Sequence, residues 1–283
     1  MNITIGKYSG FCNGVKYTVE EANKALDQDE TVYCLGEIVH NERVIHDLEK
    51  KGMKTIHSIE DAPNQSKVII RAHGELKETY EKAKQKKIEL LDLTCGKIKA
   101  IRTKINHKKD EYYIIIIGKK NHPETLGVQS FSGEDSYILE NEEDVEDCKE
   151  KYKLSKKDKI YIVSQTTFNS SKFDLLVKII QETFEGKIIV DKTICNATSN
   201  RQEETEELSK NVDCMIIVGG KKSSNTKELE VISTKNCKEV YLVQDVEDLK
   251  NIKLNTNSNV GIMAGASTPD VVVKEIVDYL EKL

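Results

Sequence analysis

The sequence lacks the features of a membrane protein, of a disordered protein and of a dedicated nucleic-acid-binding protein. Its longest continuous apolar run, Tyr112 to Ile117, is far shorter than the ~18 residues that a membrane span requires. No low-complexity tract interrupts the 283 residues, of which 38% are hydrophobic, so disorder is not expected. The net charge is −5 and no basic block dominates either half, so we expect no nucleic-acid partner and no membrane association.

Secretion signals and paired cysteines are also missing. The first residues, Met1 to Gly6, contain no basic segment followed by a long apolar core, so we expect no signal peptide. Secreted disulfide frameworks are dense and usually even in number, whereas this long chain has seven cysteines. Cys-x-x-Cys pairs are absent, which disfavours a structural zinc site. We therefore predict a cytoplasmic protein whose cysteines serve packing, metal binding or redox chemistry.

The sequence does contain a threefold internal repeat. In each repeat a strand-like segment leads to a cysteine, a helical pattern follows, and an apolar strand then ends in glycine. The cysteines are Cys12, Cys95 and Cys195, and the glycines are Gly36, Gly118 and Gly219. The separations of 24, 23 and 24 residues agree too closely to be an accident of composition. A polar residue stands four positions after each glycine, as His40, His122 and Ser223.

The rest of each repeat supplies another strand, which ends in small or polar residues, and another helix. These helices are predicted over 77–86, 172–183 and 270–280. Strands that alternate with helices predict an α/β fold with parallel sheets. We expect three pseudo-equivalent α/β units over residues 1–94, 95–192 and 193–283. Ligands bind outside the carboxyl ends of parallel strands, so each unit should bring one cysteine and two polar loops to such an edge.

Isolated cysteines are usually core residues, and packing is the role predicted for Cys34, Cys148, Cys214 and Cys237. The three repeated cysteines differ because they lie at strand-to-helix junctions, where helix amides stabilise a thiolate. Three thiolates suit a soft metal centre such as an iron–sulfur cluster. A cubane cluster with three protein ligands keeps one iron open, which can act as a Lewis acid.

Polar residues at the remaining strand ends and helix starts form a second group. Taken alone, each Ser, Thr or Asn fits a helix cap, and Asn41 and Asn225 are predicted as N-caps. Together their hydroxyl, amide and imidazole groups suit a phosphate or diphosphate at helix N-termini. Glu124 is the acidic member, and in an enclosed site a carboxyl group can donate a proton. Its alternative role is to stabilise the dipole of a helix that begins at Pro123.

At these residues the sequence resembles the 4-hydroxy-3-methylbut-2-enyl diphosphate reductases, the last enzymes of the methylerythritol phosphate route to isoprenoids. The resemblance spans nearly the whole chain. It is carried, in order, by Gly10-Phe11-Cys12-x-Gly14-Val15, Val39-His40-Asn41, Ala72-His73-Gly74, Thr94-Cys95, Gly118 through His122-Pro123-Glu124 to Gly127, Gln165-Thr166-Thr167, Ile194-Cys195, Asn200-Arg201-Gln202, Ser223-Ser224-Asn225 and Ala264-Gly265-Ala266-Ser267-x-Pro269. Each motif is weak alone, and their order is specific.

The resemblance implies one [4Fe–4S] cluster per chain on Cys12, Cys95 and Cys195, in the middle of the three units, with the substrate hydroxyl on the open iron. It implies that the substrate diphosphate is bound by His40, His73, His122, Ser223, Ser224, Asn225 and Ser267. Glu124 would supply protons, assisted by Thr166, with His122 also in the catalytic group. Electrons would come from a ferredoxin- or flavodoxin-like carrier. The products would be isopentenyl and dimethylallyl diphosphate.

One residue departs from the family pattern, which usually has Pro after the second cysteine, where this chain has Gly96. Glycine restricts the backbone less, so cluster stability or rate is expected to differ while the ligand role of Cys95 survives. The residues leave two other hypotheses about function open. An iron–sulfur hydro-lyase would need no external electrons, and a cluster-based sensor would bind the ligand without forming product.

Overall fold

The computed structural model describes residues 1–28, 31–155 and 158–283 of the chain. Their strands form three four-stranded sheets, in which the paired strands run parallel. Helices alternate with these strands along the chain. The predicted α/β class with parallel sheets is therefore confirmed. The division at residues 94/95 and 192/193 stays a prediction.

The strands are β1 Asn2–Ile5, β2 Val32–Leu35, β3 Met53–Ile56, β4 Lys67–Ile70, β5 Glu89–Asp92, β6 Tyr113–Ile117, β7 Ser136–Leu139, β8 Lys159–Ser164, β9 Lys187–Val190, β10 Cys214–Val218, β11 Glu239–Val243 and β12 Asn259–Ala264. The α-helices are α1 Asn13–Gln28, α2 Glu42–Glu49, α3 Lys77–Gln85, α4 Gly96–Lys108, α5 Pro123–Gln129, α6 Asp144–Ser155, α7 Ser170–Thr183, α8 Asn196–Lys210, α9 Ser224–Thr234, α10 Val246–Lys250 and α11 Asp270–Leu280. None of the helices in the described ranges combines the length and apolarity that crossing a bilayer requires.

The described residues divide into two compact units. The first comprises Met1–Val19, Val39–Lys51 and Asn196–Leu283, and the second comprises Glu20–Ile38 and Gly52–Cys195. The first unit holds the sheet with strand order β1-β12-β10-β11. The second holds two sheets, with orders β3-β2-β4-β5 and β7-β6-β8-β9.

The three sheets share one topology. Each has two central strands, an edge strand that follows the first of them in sequence, and an edge strand that leads to a cysteine. The cysteine-leading strands are β5, β9 and β1, which precede Cys95, Cys195 and Cys12. The N-terminal strand β1 therefore pairs with β12 near the other end of the chain, in the place that β5 and β9 take beside β4 and β8. The sequence repeat is a repeat of whole sheets.

The core shows why the central strands were visible in the sequence. Along β6, Tyr113, Ile115 and Ile117 pack with Phe173 and other residues of α7. The alternate residues Ile114 and Ile116 pack with Ile98, Ile101 and Ile105 of α4. A parallel strand covered on both faces is a continuous apolar run. The helices predicted over 77–86, 172–183 and 270–280 are present as α3, α7 and α11.

Candidate active site

The backbone places the three repeated cysteines in equivalent positions. The Cys95 amide donates to the carbonyl of Ala72 over 2.9 Å, and the Cys195 amide donates to the carbonyl of Thr166 over 3.0 Å. In the first unit the Cys12 amide donates to the carbonyl of Ala266 over 3.1 Å. Each cysteine thus lies beside the end of a neighbouring strand and directly before the first residue of a helix. The predicted strand-to-helix junctions are confirmed.

The side chains divide the seven cysteines into two classes. All seven carry reduced thiols within the described ranges, and Cys12, Cys95 and Cys195 are half-buried while the other four are buried. Burial raises the pKa of Cys148 and of Cys214 to about 12, so these thiols stay neutral in the core. By contrast the Cys12 Sγ accepts a 3.5 Å hydrogen bond from the Val15 amide at the start of α1. Accessible sulfur donors at helix starts fit a soft metal centre.

Glu124 lies in the first turn of α5 and is only 1% exposed. Its carboxylate is held at both oxygens by Thr166, which follows β8. The Thr166 amide donates to Oε1 over 2.6 Å, and the Thr166 hydroxyl donates to Oε2 over 2.8 Å. Because the Thr166 carbonyl also accepts from the Cys195 amide, this threonine contacts both a predicted proton donor and a predicted cluster ligand.

Burial sets the protonation state of Glu124. Desolvation raises the pKa of this carboxyl to about 7, against the opposing effects of the two Thr166 hydrogen bonds and the Arg102 charge. A carboxyl group with a pKa near 7 is divided between acid and base forms at neutral pH, as a general acid requires. The alternative role, a first-turn glutamate that stabilises the dipole of α5, requires the ionised form of the carboxyl group, which burial disfavours.

His122 and His73 lie next to each other in the second compact unit of the structure, the one that contains Gly52–Cys195. His122 is the N-cap of α5, where its Nδ1 accepts a 3.1 Å hydrogen bond from the Glu124 amide. Pro123 occupies the first helical turn, as predicted. The His73 ring meets the His122 ring edge-on, with centroids 5.5 Å apart. The ends of β4 and β6 thus bring two imidazoles and one carboxyl group into one neighbourhood.

The first unit assembles its own polar group around the carbonyl of His40. The Ser267 hydroxyl donates to that carbonyl over 3.2 Å. Gly220, which follows β10, faces the same carbonyl so closely that an added Cβ would lie 2.1 Å from it. Residue 220 therefore has room for hydrogen alone, and the His40 loop is seated directly on the end of the central strand.

The start of α9 differs in one respect from the predicted cap. Ser223, not Asn225, is the N-cap, because its hydroxyl accepts a 3.3 Å hydrogen bond from the Thr226 amide. Asn225 lies in the first turn, 3% exposed, and neither polar atom of its amide has a hydrogen-bond partner among the described residues. A buried amide without a partner is costly, so its position favours a polar ligand at this helix start. The other predicted N-cap, Asn41, is confirmed for α2.

The close contact between Gly220 and the His40 carbonyl gives a stability prediction. In Gly220→Ala the new methyl must push back the His40 carbonyl, so we expect a loss of about 1–3 kcal/mol of stability and a lower midpoint of thermal unfolding. Gly96→Ala is the matched control, because an added Cβ there meets nothing within 4 Å. Alanine also favours a helix, so the control should be unchanged or slightly more stable. Equal midpoints for the two variants would contradict the tight contact.

Two buried arginines in the site region were not predicted as functional. Arg201 of α8 donates to the carbonyl of Gly10 over 2.5 Å and so ties α8 to the loop before Cys12. Arg102 of α4 is 8% exposed and lies on the helix face that also carries Ile98 and Ile105. A charged residue on an otherwise apolar helix face was the available sequence signal for Arg102.

A profile described as LytB protein matches residues 3–281. The chain belongs to the LytB family. The match covers all three sheets and every predicted site residue.

Named relatives match nearly the whole of this chain. A 4-hydroxy-3-methylbut-2-enyl diphosphate reductase of Caldanaerobacter subterraneus subsp. tengcongensis is 38% identical, over 100% of this chain and 98% of the relative. That of Clostridioides difficile is 37% identical over the full length of both. The solved structure of the E-1-hydroxy-2-methyl-but-2-enyl-4-diphosphate reductase from Plasmodium falciparum is 31% identical, with a TM-score of 0.90 over 98% of this chain and 87% of that one. The family resemblance seen in the sequence is confirmed, and this LytB-family chain is an oxidoreductase enzyme.

Proposed function

We propose that the chain reductively removes the hydroxyl group of 4-hydroxy-3-methylbut-2-enyl diphosphate. The reaction consumes two electrons and two protons and releases isopentenyl or dimethylallyl diphosphate and water. The observation that carries the proposal is Glu124, a buried carboxyl group whose pKa is near 7, fixed by Thr166 next to Cys195. The relatives' names support the substrate. A ferredoxin- or flavodoxin-like carrier is the proposed electron source, and the cytoplasm is the proposed compartment.

For the cofactor we propose one [4Fe–4S] cluster held by Cys12, Cys95 and Cys195. When bound, the cluster would supply electrons and one iron without a protein ligand as a Lewis acid. The donor set fits, since these three thiols are half-buried at helix starts and the remaining four are buried. The resemblance proposes this set, and the repeated backbone contacts of the three cysteines support it.

Glu124 is the proposed proton donor to the departing hydroxyl group, and Thr166 assists in its positioning and in proton relay. The Thr166 hydroxyl donates to Oε2 and its amide to Oε1, which fixes the orientation of the carboxyl group. A proton on Glu124 is therefore presented from a constant position. His122 contributes by capping α5, because its Nδ1 accepts from the Glu124 amide. The enclosed position keeps bulk water from competing for this proton.

The substrate's diphosphate is the proposed ligand of the remaining polar residues. In the first unit these are His40, Ser223, Ser224, Asn225 and Ser267. In the second unit they are His73 and His122, with Thr166 in an additional contact with the substrate. The start of α9 offers backbone amides and the Asn225 amide, which has no hydrogen-bond partner within the described ranges. These groups suit a doubly or triply charged anion.

The test begins with protein purified without oxygen. We expect about four irons and four acid-labile sulfides per chain and a broad visible absorption that air destroys. With the diphosphate and a chemical reductant such as dithionite with a viologen dye, the protein should form both products. Turnover without reductant would indicate a hydro-lyase, and binding without product would indicate a sensor. A colourless protein that cannot be reconstituted would overturn the cluster assignment.

A further inference from the structure

Arg102 is a buried cation in the second unit that the proposed chemistry does not use. It lies on α4, six residues after its first residue Gly96, and is 8% exposed. Its Nη1 donates to the Tyr80 hydroxyl over 3.0 Å, and its Nη2 donates to the carbonyl of Glu75 over 2.9 Å. The guanidinium also stacks on the Phe131 ring, 4.6 Å from the ring centroid. Burial of a charge is costly, so such a residue requires a reason.

The same guanidinium occupies space that two glycines leave open. A Cβ at Gly74, whose φ is +75°, would lie 2.2 Å from the Arg102 Nη2. A Cβ at Gly127 would lie 3.1 Å from the same atom. Gly74 directly follows His73, and Gly127 lies on α5 three residues after Glu124. Arg102 is thus wedged between the His73 turn and the helix that carries the proposed acid.

The charge of Arg102 is not matched by a direct ion pair among the residues that the structure describes. Its Nη1 and Nη2 donate to a hydroxyl and a carbonyl oxygen, and its Nε has no hydrogen-bond partner in those ranges. The neighbouring Glu75 carboxylate lies 2.8 Å from Arg71 instead. The cation therefore acts on Glu124 at longer range, where it favours the ionised carboxylate and opposes the effect of burial on the pKa.

We propose that Arg102 is a positioning residue for Glu124, holding α5 against the His73 turn through its contacts at Gly74 and Gly127. The proposal rests on the proposed function of Glu124 as proton donor. A residue of this kind sets the geometry of the donor, and Arg102 is not itself among the proposed diphosphate ligands. Its removal should therefore change the rate of the chemical step more than the binding of the diphosphate.

The test compares Arg102→Met and Arg102→Lys with Lys104→Met, an exposed cation on the same helix. Iron and sulfide contents should equal those of the wild type in all three. For Arg102→Met we expect kcat to fall ~10–100-fold with KM changed less than about 3-fold. Arg102→Lys keeps the charge and should recover a substantial part of kcat. Lys104→Met should match the wild type.

A second readout does not depend on turnover. Infrared difference spectra between wild type and Glu124→Gln isolate the Glu124 carboxyl band, whose titration midpoint should rise in Arg102→Met and not in Lys104→Met. A kcat loss that parallels lost iron or lost folded protein, or one that resides in KM, would overturn the positioning role. An unchanged carboxyl band would overturn it as well. If the wild type does not convert the diphosphate, the proposed function fails, and the infrared titration still decides whether Arg102 acts on Glu124.

Discussion

Glu124→Gln should lower kcat ~10²–10⁴-fold while leaving iron content and diphosphate binding close to those of the wild type. Glutamine has nearly the same shape and can accept the Thr166 amide hydrogen bond that Oε1 accepts now. It has no proton to give to a departing hydroxyl group. The measurement is steady-state turnover with a chemical reductant, beside an iron determination and a binding titration with the diphosphate. Turnover at the wild-type rate would remove Glu124 from the proposed mechanism.

The pH dependence of the wild type supplies a check on the same role. The pKa of Glu124 is raised to about 7, and a proton donor acts in its protonated form. Wild-type kcat should therefore fall as pH rises above about 7, by about tenfold per pH unit once the group is largely ionised. This descending limb should be missing from Glu124→Gln. A limb that persists in the variant would belong to another group.

Glu124→Gln should gain stability above pH 7 although it loses activity. The folded state holds the Glu124 proton more tightly than the unfolded chain, whose pKa is near 4.5. The stability that this group contributes is complete below pH 4.5 and is lost as pH rises through 7. Glu124→Gln removes the loss, so at pH 8 the variant should be more stable by at most about 3 kcal/mol. Thermal unfolding at pH 8 and pH 5 should show the gain at the higher pH, and a variant less stable at pH 8 would contradict it.

The sequence predicts the central strands and the edge strands that lead to the cysteines, and it misses the other edge strand of each sheet, for a physical reason. Strands such as β6 are covered on both faces, so their sequence is a continuous apolar run. The unpredicted strands β3, β7 and β11 are all edges, at the same place in each sheet. Met53–Ile56 is four residues long and only partly buried, so neither its length nor its composition distinguishes it from a loop. Such segments become strands because they pair with a neighbouring strand, which the local sequence does not reveal.

The site residues were predictable where the topology rule applies. Cysteines and polar groups at the ends of parallel strands must share one edge of their sheet, and the amide contacts of Cys95 and Cys195 follow from that. The Arg102 site was not predictable in this way. Its partners come from Gly74, Tyr80 and Gly127 on separate segments, and the sequence carries no distance between them. The burial that raises the Glu124 pKa is likewise a property of tertiary packing.

Substitution of a proposed cluster ligand should have the largest effect of all. In Cys95→Ala we expect iron content to fall ~10-fold and turnover to fall to background, because a three-ligand cluster that loses one thiolate is no longer held. Cys12→Ala and Cys195→Ala should behave alike, since the three cysteines occupy equivalent strand-to-helix junctions. The measurements are iron, acid-labile sulfide and visible absorption on protein purified without oxygen.

Cys34→Ala is the matched control because it removes the same chemical group, a thiol, from the core instead of from a strand-to-helix junction. Cys34 is buried within β2, where it is 0% exposed. Its loss should cost packing energy and lower the midpoint of thermal unfolding, yet leave iron per folded chain unchanged. The two kinds of cysteine thus separate two observables, since a junction thiol governs metal content and a core thiol governs stability. Iron retained in Cys95→Ala, or lost from folded Cys34→Ala, would reverse the assignment of these thiols.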